Sequence, residues 1–254
     1  MSPRPSNSVV QFQPARRRAK RDAPALIVFA REPIPGRTKT RLIPLLGARG
    51  AARLADAFIV DALAKAARIE GSRLVIAAAA EGRAHTSKYF AALARRFGAE
   101  LVDQGKGDLG RRMARVLEPY ADPPGGVLFG VDTPSLPASL IRESMRDLRH
   151  APVVLGPAID GGYYLLGVRG SLPDIFRAIA WGSAQVMDQT LRRLRHRRVR
   201  YRLGRWWYDI DRAADLEFLA ADLTCNFVAH RVSACPATAA LISELKIVEL
   251  VQGR

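Results

Sequence analysis

Short apolar runs alternate with longer amphipathic segments along most of the chain. The runs at Ala25–Ala30, Arg73–Ala79 and Val127–Val131 each soon give way to charged, glycine or proline residues. Such runs are typical of strands that are buried on both faces of a parallel sheet. Between them, apolar residues recur at helical spacing, as in Arg49–Ile69. Strands that alternate with helices predict an α/β fold.

The same patterns predict the other elements and their limits. Helices are expected over Thr86–Phe97 with a threonine cap, from Asp108 to Leu117, over Ala138–Leu148 and Pro173–Ile179, from Ser183 to Arg195, and from Ala213 to Leu223. Strands are expected over Glu100–Val102, Val153–Gly156, Tyr163–Val168 and Val199–Leu203, with a last strand near Trp206. The turn Asp160-Gly161-Gly162 indicates that Tyr163–Val168 pairs antiparallel with the strand before it.

Composition divides the chain into three segments. Residues 1–24 are basic and poor in apolar residues, which predicts a disordered arm. Residues 25–223 carry the alternating pattern and are expected to form the functional domain. Residues 224–254 are a tail with one predicted helix, Thr238–Leu250, whose apolar residues favour docking on the domain or a homodimer.

Bulk composition limits the classes of function. Apolar residues make up 48 % of the chain, but no apolar stretch reaches transmembrane length. The basic start is not followed by an apolar signal region, and two cysteines do not make a disulfide framework, so the cytoplasm is the expected compartment. The net charge of +16 is concentrated partly in Arg192–Arg205, which holds eight arginines and no acid. Such a cluster can attract nucleic acid, an anionic membrane or a phosphorylated ligand, or it is only an arginine-rich solvated surface. Sparse aromatic residues argue against nucleic acid.

A loop rich in cations follows the first predicted strand. Arg31, Arg37, Lys39 and Arg41 lie within it, together with Gly36, where the backbone can come close to a ligand. A turn at this position of an α/β sheet suits phosphate binding. The loop is neither a Walker A motif nor a dinucleotide fingerprint. The alternative is a surface loop of solvated charges.

Three groups of acids follow later strands. Asp132 ends an apolar run at the predicted carboxyl edge of the sheet, where open α/β sheets bind ligands. Alternatively it only caps the next helix, although Ser135 lies closer to that helix. Asp160 would stand near Asp132 if both strands end on the same edge, the alternative being a plain hairpin turn. Asp209 and Asp211 are one residue apart, which suits oxygen ligands of a divalent cation, or Asp211 caps the following helix.

Several sequence blocks together resemble one known family. They are Phe29-Ala-Arg-Glu-Pro-Ile-Pro-Gly-Arg-Thr-Lys-Thr-Arg-Leu, Gly107-Asp-Leu-Gly, Gly130-Val-Asp-Thr-Pro-Ser-Leu-Pro, Leu155-Gly-Pro-Ala-Ile-Asp-Gly-Gly-Tyr-Tyr-Leu-Leu-Gly and Asp209-Ile-Asp. Over Ala25–Leu219 the chain resembles the arsenosugar-biosynthesis-type glycosyltransferases, which are related to the molybdenum-cofactor and phospholactate guanylyltransferases. The resemblance implies the GT-A fold, a Rossmann-like nucleotide-diphospho-sugar domain with a mostly parallel central sheet flanked by helices.

The resemblance also implies a function. The expected activity is that of a metal-dependent transferase with a nucleotide-activated donor, foremost a nucleotide-sugar glycosyltransferase acting on a small acceptor. One alternative is a nucleotidyltransferase that couples a nucleoside triphosphate to a small phosphorylated acceptor and releases pyrophosphate. A further alternative is a nucleotide-binding protein without catalysis.

The implied roles fall on residues already singled out. Those expected to contact the nucleotide or substrate are Arg31, Gly36, Lys39, Arg41, Gly107, Asp108, Gly161 and Gly162. Mg²⁺ or Mn²⁺ is expected on Asp132 together with Asp209 or Asp211, where it would act as Lewis acid and template. Asp160 and Asp132 are the expected catalytic residues, and Asp160 or Asp209 is the candidate base.

Overall fold

The computed structural model describes residues 23–82, 84–230 and 234–247. Its centre is one seven-stranded sheet with the order β3-β2-β1-β4-β6-β5-β7. The strands are β1 (Ala25–Arg31), β2 (Arg73–Ala79), β3 (Glu100–Asp103), β4 (Gly126–Gly130), β5 (Val153–Pro157), β6 (Tyr163–Val168) and β7 (Tyr201–Leu203). Residues 1–22, which include most of the predicted arm, lie outside the described residues.

The pairing of the strands brings the predicted site segments to one edge. β1 pairs in parallel with β2 and β4, β2 with β3, and β5 with β7. β6 alone runs antiparallel, to β4 on one side and β5 on the other. The predicted antiparallel pairing of β5 and β6 is therefore confirmed. The carboxyl ends of β1, β4 and β5 consequently point to the same edge of the sheet.

Helices cover both faces of this sheet. They are α1 (Ile43–Ala67), α2 (Lys88–Phe97), α3 (Leu109–Leu117), α4 (Ala138–Asp147), α5 (Val186–His196), α6 (Ala213–His230) and α7 (Pro236–Glu244). One apolar core lies on each face of the sheet, and alternate residues of β1 contribute to each. Leu26 and Val28 pack on the face covered by α1, α2 and α4. Ala25 and Ile27 pack on the face covered by α3 and α5. A third apolar cluster joins the outer side of α1 to α6 and α7.

Some predicted limits and caps are wrong. Residues Pro173–Ile179 form no helix, because Ile175 is buried in the core and Ala178 has a left-handed φ of 49°. Ser87, and not Thr86, caps α2 by accepting the N–H of Phe90. The last predicted strand is reduced to a single bridge between Ala158 and Trp207.

The ends of the chain also depart from the prediction. α6 continues past Leu223 to His230, and α7 starts at Pro236 and ends at Glu244. Residues 248–250 of the predicted tail helix lie outside the described residues. Within the described residues, none of the helices combines the length and apolar character required to cross a membrane.

The docking predicted for the tail is present and has a polar anchor. Leu241 and Ile242 of α7 are buried in the cluster shared with α1. Asp61 of α1 is 2 % exposed and accepts the N–H groups of Ala237 at 3.0 Å and Thr238 at 2.8 Å. A carboxylate from α1 thus satisfies donors at the start of α7 that the helix itself cannot. The homodimer stays a prediction.

Asp61→Ala should release α7 from the domain. The substitution leaves two N–H groups without their acceptor, so we expect the free energy of unfolding to fall by about 2–3 kcal/mol. Urea unfolding would measure this loss, and hydrogen exchange should show faster exchange of the amides in α7. Glu217→Ala, at an exposed site on α6, is the control. Unchanged protection of α7 in Asp61→Ala would contradict this anchoring role.

Candidate functional site

Three adjoining cavities open at the carboxyl edge of the sheet. The first, of about 450 Å³, lies between the cationic loop and the residues that follow β4. The second, of about 930 Å³, extends from the cationic loop across the ends of β2 and β3. The third, of about 290 Å³, lies between β4, β6 and the segment around Trp181. Arg31 and Arg112 line the first and second cavities, and Asp132 and Asp211 line the first and third.

Lys39 joins the two sides of this edge. Its ammonium lies 2.8 Å from Asp132 Oδ1 and 2.8 Å from Asp211 Oδ1, and it also donates to the carbonyl of Ile210. The Lys39 side chain is only 7 % exposed. Burial opposes its charge, but the two carboxylates outweigh burial and raise the pKa of Lys39 above its ordinary value. Burial also opposes the charge of Asp211 and by itself would raise the pKa of that carboxyl. The charges of Lys39 and Arg41 outweigh burial, so the pKa of Asp211 is lowered.

The cationic loop is held by its own polar contacts. Thr38 Oγ1 donates to the carbonyl of Glu32 and accepts the N–H of Ile34, both at 3.1 Å. Gly36 has a φ of 81°, a left-handed conformation that glycine adopts without strain. Arg41 is 63 % exposed on its side chain and reaches Asp211 at 3.5 Å. Gly36 is not among the residues that line the three cavities, and its contact with the nucleotide stays a prediction.

Asp132 and the 207–211 segment are fixed to one another from behind. The N–H of Ile210 donates to the carbonyl of Asp132 at 2.9 Å. Ser135 Oγ donates to Tyr208 Oη at 2.6 Å and accepts from Trp207 Nε1 at 3.2 Å. The Tyr208 hydroxyl in turn donates to Asp222 of α6 at 2.5 Å. These hydrogen bonds hold in place the backbone segments that carry Asp132 and Asp211.

Neither of the proposed helix-capping roles is present. Asp132 bonds Lys39, and α4 begins after Pro137 without any side-chain cap, so neither Asp132 nor Ser135 caps it. Asp211 does not cap α6, because the carboxylate of Asp215 accepts the N–H groups of Asp211 at 2.9 Å and Arg212 at 2.7 Å. Both acids therefore bind Lys39 and line the first and third cavities.

Asp160 joins the same cluster of acids from the β5–β6 turn. Its carboxylate accepts the N–H of Gly162 at 2.8 Å. Gly161 has a φ of 90°, and a Cβ there would lie 2.2 Å from the carbonyl oxygen of Ala184, so the turn requires glycine. Burial first, and then the charges of Asp160 and Asp211, raise the pKa of Asp209 to about 6. Asp160 and Asp132 both line the third cavity.

Two further residues that line the first cavity are found only in the structure. Gln104 is fully buried and donates through Nε2 to the carbonyls of Ala30 at 3.0 Å and Ala77 at 2.7 Å. Its Oε1 accepts from Arg112, whose guanidinium lies 5.4 Å from the centroid of the Phe29 ring. Burial and then the charge of Arg31 lower the pKa of Arg112. Gln104 thus places Arg112 where the first and second cavities meet.

The predicted glycine-rich helix entrance lies beside the second cavity. Gly107 lines that cavity and has a φ of 119°. Asp108 lines none of the three cavities and instead caps α3 by accepting the N–H of Arg111 at 2.8 Å. In the sequence, Arg112 is marked only by its position four residues after the helix cap Asp108.

Asp132 and Asp211 carry the type of ligand atom that a hard divalent cation binds. Carboxylate oxygens are the ligands that Mg²⁺ and Mn²⁺ prefer. Within the described residues, however, no group of three or more His, Cys, Asp or Glu side chains is arranged to hold a metal ion. The space between Asp132 and Asp211 holds the Lys39 ammonium instead. A cation at this pair would therefore require Lys39 to move.

Comparison with known proteins agrees with this architecture. The family DUF2064, described as "Uncharacterized protein conserved in bacteria", matches residues 62–183. The chain also resembles the crystal structure of a candidate nucleotide-diphospho-sugar transferase from Desulfovibrio desulfuricans G20. The identity is 32 %, the TM-score 0.78, and the match covers 90 % of this chain and 96 % of that chain. At this identity and coverage, the chain belongs to the same family as that candidate nucleotide-diphospho-sugar transferase, and the predicted fold class is confirmed.

Other solved structures match at lower identity. CMP:2-keto-3-deoxy-manno-octonic acid synthetase in complex with CTP is 12 % identical, with a TM-score of 0.49 and coverage of 80 % of this chain and 99 % of that chain. A cytidylyltransferase from Leptospira borgpetersenii serovar Hardjo-bovis (strain JB197) is 11 % identical, with a TM-score of 0.48 and coverage of 88 % and 95 %. No curated protein matches the sequence.

The raised pKa of Asp209 predicts a pH dependence of stability. An aspartate in the unfolded chain titrates near pH 4, whereas Asp209 in the folded chain titrates at about 6. Between these values the folded chain binds more protons at Asp209 than the unfolded chain does. Asp209 therefore makes the free energy of unfolding fall as the pH rises through that range. Asp209→Asn should therefore be more stable than the wild type at pH 7.5, by about 1–2 kcal/mol after solvent screening, and should match it at pH 4.

Urea unfolding at pH 4, 5, 6 and 7.5 would measure this difference. Asp188→Asn removes an exposed carboxylate on α5 and serves as the control. If Asp209→Asn keeps the wild-type change of stability with pH, the environment assigned to Asp209 is wrong.

Proposed function

We propose that this protein is a metal-dependent transferase that uses a nucleotide-activated donor, foremost a nucleotide-sugar glycosyltransferase of the arsenosugar-biosynthesis type. One observation carries the proposal. A cation-lined cavity opens directly beside an acid pair that is bridged by Lys39. The name of the Desulfovibrio desulfuricans relative supports the nucleotide-sugar donor.

The cationic side suits the diphosphate and nucleoside of the donor. Arg31, Lys39, Arg41 and Arg112 all line the first cavity, and a diphosphate carries enough negative charge to contact several of them. The second cavity continues from it and is the larger of the two. We place the diphosphate in the first cavity and the nucleoside in the second.

Lys39 can exchange its carboxylate partners for phosphate oxygens. The bound diphosphate competes for the ammonium, and this would free Asp132 and Asp211 to hold Mg²⁺ or Mn²⁺. When bound, such an ion supplies a Lewis acid that neutralises charge on the leaving diphosphate. Arg41, which is exposed on its side chain, contributes charge from the other side of Asp211.

The acid side suits the acceptor and its proton. In a glycosyl transfer, an acceptor hydroxyl oxygen forms a bond to the anomeric carbon while the bond from that carbon to the diphosphate oxygen breaks. The nucleoside diphosphate leaves with the bonding electron pair. Asp209, with a pKa of about 6, is suited to take the hydroxyl proton near neutral pH. Asp160 is the alternative base.

A nucleotidyltransferase reaction is the second candidate, and the cationic loop favours it. Phosphates of a nucleoside triphosphate could occupy the same cations, with release of pyrophosphate. A panel of nucleoside triphosphates with phosphorylated acceptors would reveal this reaction as pyrophosphate. Metal-dependent breakdown of nucleotide sugars to nucleoside diphosphates, without pyrophosphate, would favour the glycosyltransferase. Binding of nucleotides without turnover in either panel would favour a non-catalytic protein.

Lys39→Ala should weaken binding of a diphosphate far more than binding of a nucleoside. Loss of one charge-assisted phosphate contact costs about 1.5–3 kcal/mol, which corresponds to roughly a tenfold to hundredfold loss of affinity. The nucleoside lacks the phosphates and should bind within about threefold of its wild-type affinity. Calorimetric titration with matched nucleoside diphosphates and nucleosides would measure both. Arg41→Lys keeps the charge but loses the planar fork, so it should also weaken diphosphate binding.

Lys88→Ala, at an exposed site on α2, is the matched control and should leave both affinities unchanged. Equal and small losses for nucleotide and nucleoside in Lys39→Ala would contradict the proposed phosphate site. Because Lys39 also separates two acids, the Arg41→Lys variant tests the site independently of any loss of stability in Lys39→Ala.

A further inference from the structure

We propose that the third cavity selects a small acceptor that carries a positive charge and no phosphate, such as an amino sugar or an amino alcohol. This inference rests on the proposed function, because that function makes the third cavity the acceptor side. It names the chemical class of the acceptor, which separates the two candidate reactions: a phosphorylated acceptor does not suit this cavity.

The third cavity differs from the other two in the charge of its lining. The third cavity is lined by Asp132, Asp160, Asp209 and Asp211 and, among the described residues, by no lysine, arginine or histidine. The first and second cavities hold the cations of the site. A phosphorylated acceptor would meet like charge in the third cavity, whereas a cationic one would be attracted.

Two of the four acids have no cation of their own. Lys39 pairs with Asp132 and Asp211, and a metal that replaced it would pair with the same two. Asp160 and Asp209 form no salt bridge with any cation in the described part of the chain. Their negative charge therefore remains for a ligand to balance.

A buried hydroxyl group points independently to a ligand. Thr133 lines the third cavity and is 5 % exposed, yet its Oγ1 has no hydrogen-bond partner in the described structure. A buried polar atom without a partner costs free energy, and such atoms in native proteins call for an explanation. A hydroxyl or amine of the acceptor would supply the missing bond.

An aromatic wall completes the recognition of a cation. Trp181 and Tyr163 line the cavity with ring centroids 6.3 Å apart in an edge-to-face arrangement. Trp181 packs on Gly110, where a Cβ would lie 2.5 Å from the indole ring, so the close approach depends on glycine. Aromatic faces next to carboxylates bind ammonium groups through cation–π and charge interactions. The volume of about 290 Å³ suits one small molecule.

The test uses matched probes with the full chain, a saturating nucleoside diphosphate and Mg²⁺ at pH 7.0. One set is glucosamine, glucose and glucose 6-phosphate. The other is choline, its neutral isostere 3,3-dimethylbutanol and phosphocholine. Calorimetric titration should show that the cationic member of at least one set binds about tenfold or more tightly than its neutral partner, with the phosphorylated member weakest.

Asp160→Asn should reduce this preference for the cation about fivefold or more, while its amide oxygen can still accept the Gly162 N–H. Asp188→Asn, outside the site, should not change it. The inference is overturned if neutral or phosphorylated members bind as tightly as cationic ones in both sets, or if no probe of either set binds. Nucleotide binding is titrated separately, so a failure of the proposed donor site would be seen in that titration and not in the comparison of acceptors.

Discussion

The site depends on one buried ammonium held between two carboxylates. Asp132 and Asp211 come from segments far apart in sequence and would repel each other at this partly buried position. The Lys39 ammonium pairs with both carboxylates, and these two carboxylates compensate the cost of burying its charge. Removing one partner of such a group leaves uncompensated charge, which makes the arrangement sensitive to any ligand that competes for it. A phosphate for Lys39 and a divalent cation for the acids are the natural competitors.

The surrounding fold keeps these charges in register. The parallel strands β1 and β4 deliver the cationic loop and Asp132 to the same edge. The antiparallel strand β6 returns the chain so that the turn with Asp160 also reaches that edge. Behind Asp132, Lys65 donates to the carbonyl of Pro134 at 2.8 Å, and burial lowers the pKa of Lys65 to about 8. The cationic loop and the acids therefore meet at one edge of the sheet.

Much of this arrangement could be predicted from local patterns. Apolar runs located β1, β2, β4 and β6 to within a residue or two, and the acids and cations at strand ends were visible as sequence blocks. The helix predicted over Pro173–Ile179 is wrong although the apolar residues there have helical spacing. Ile175 is buried in the core, but the segment around it is irregular. Thr86 and Ser87 are chemically similar caps, so the pattern could not choose between them.

The contacts that define the site could not be predicted in this way. Lys39 and Asp211 are 172 positions apart, so only the sheet topology brings them together. Gln104 shows no pattern in sequence, because its importance comes from bonds to carbonyls of two neighbouring strands and to Arg112. That no lysine, arginine or histidine of the described residues lines the third cavity is likewise a property of the folded arrangement.

The most direct test is a crystal structure of the protein with a nucleoside diphosphate and Mn²⁺, measured at the manganese absorption edge. We expect an anomalous peak at the carboxylates of Asp132 and Asp211, with the ammonium of Lys39 on a phosphate oxygen and no longer between the acids. A nucleotide bound away from the cationic loop, or a metal bound elsewhere while Lys39 still bridges Asp132 and Asp211, would contradict the account.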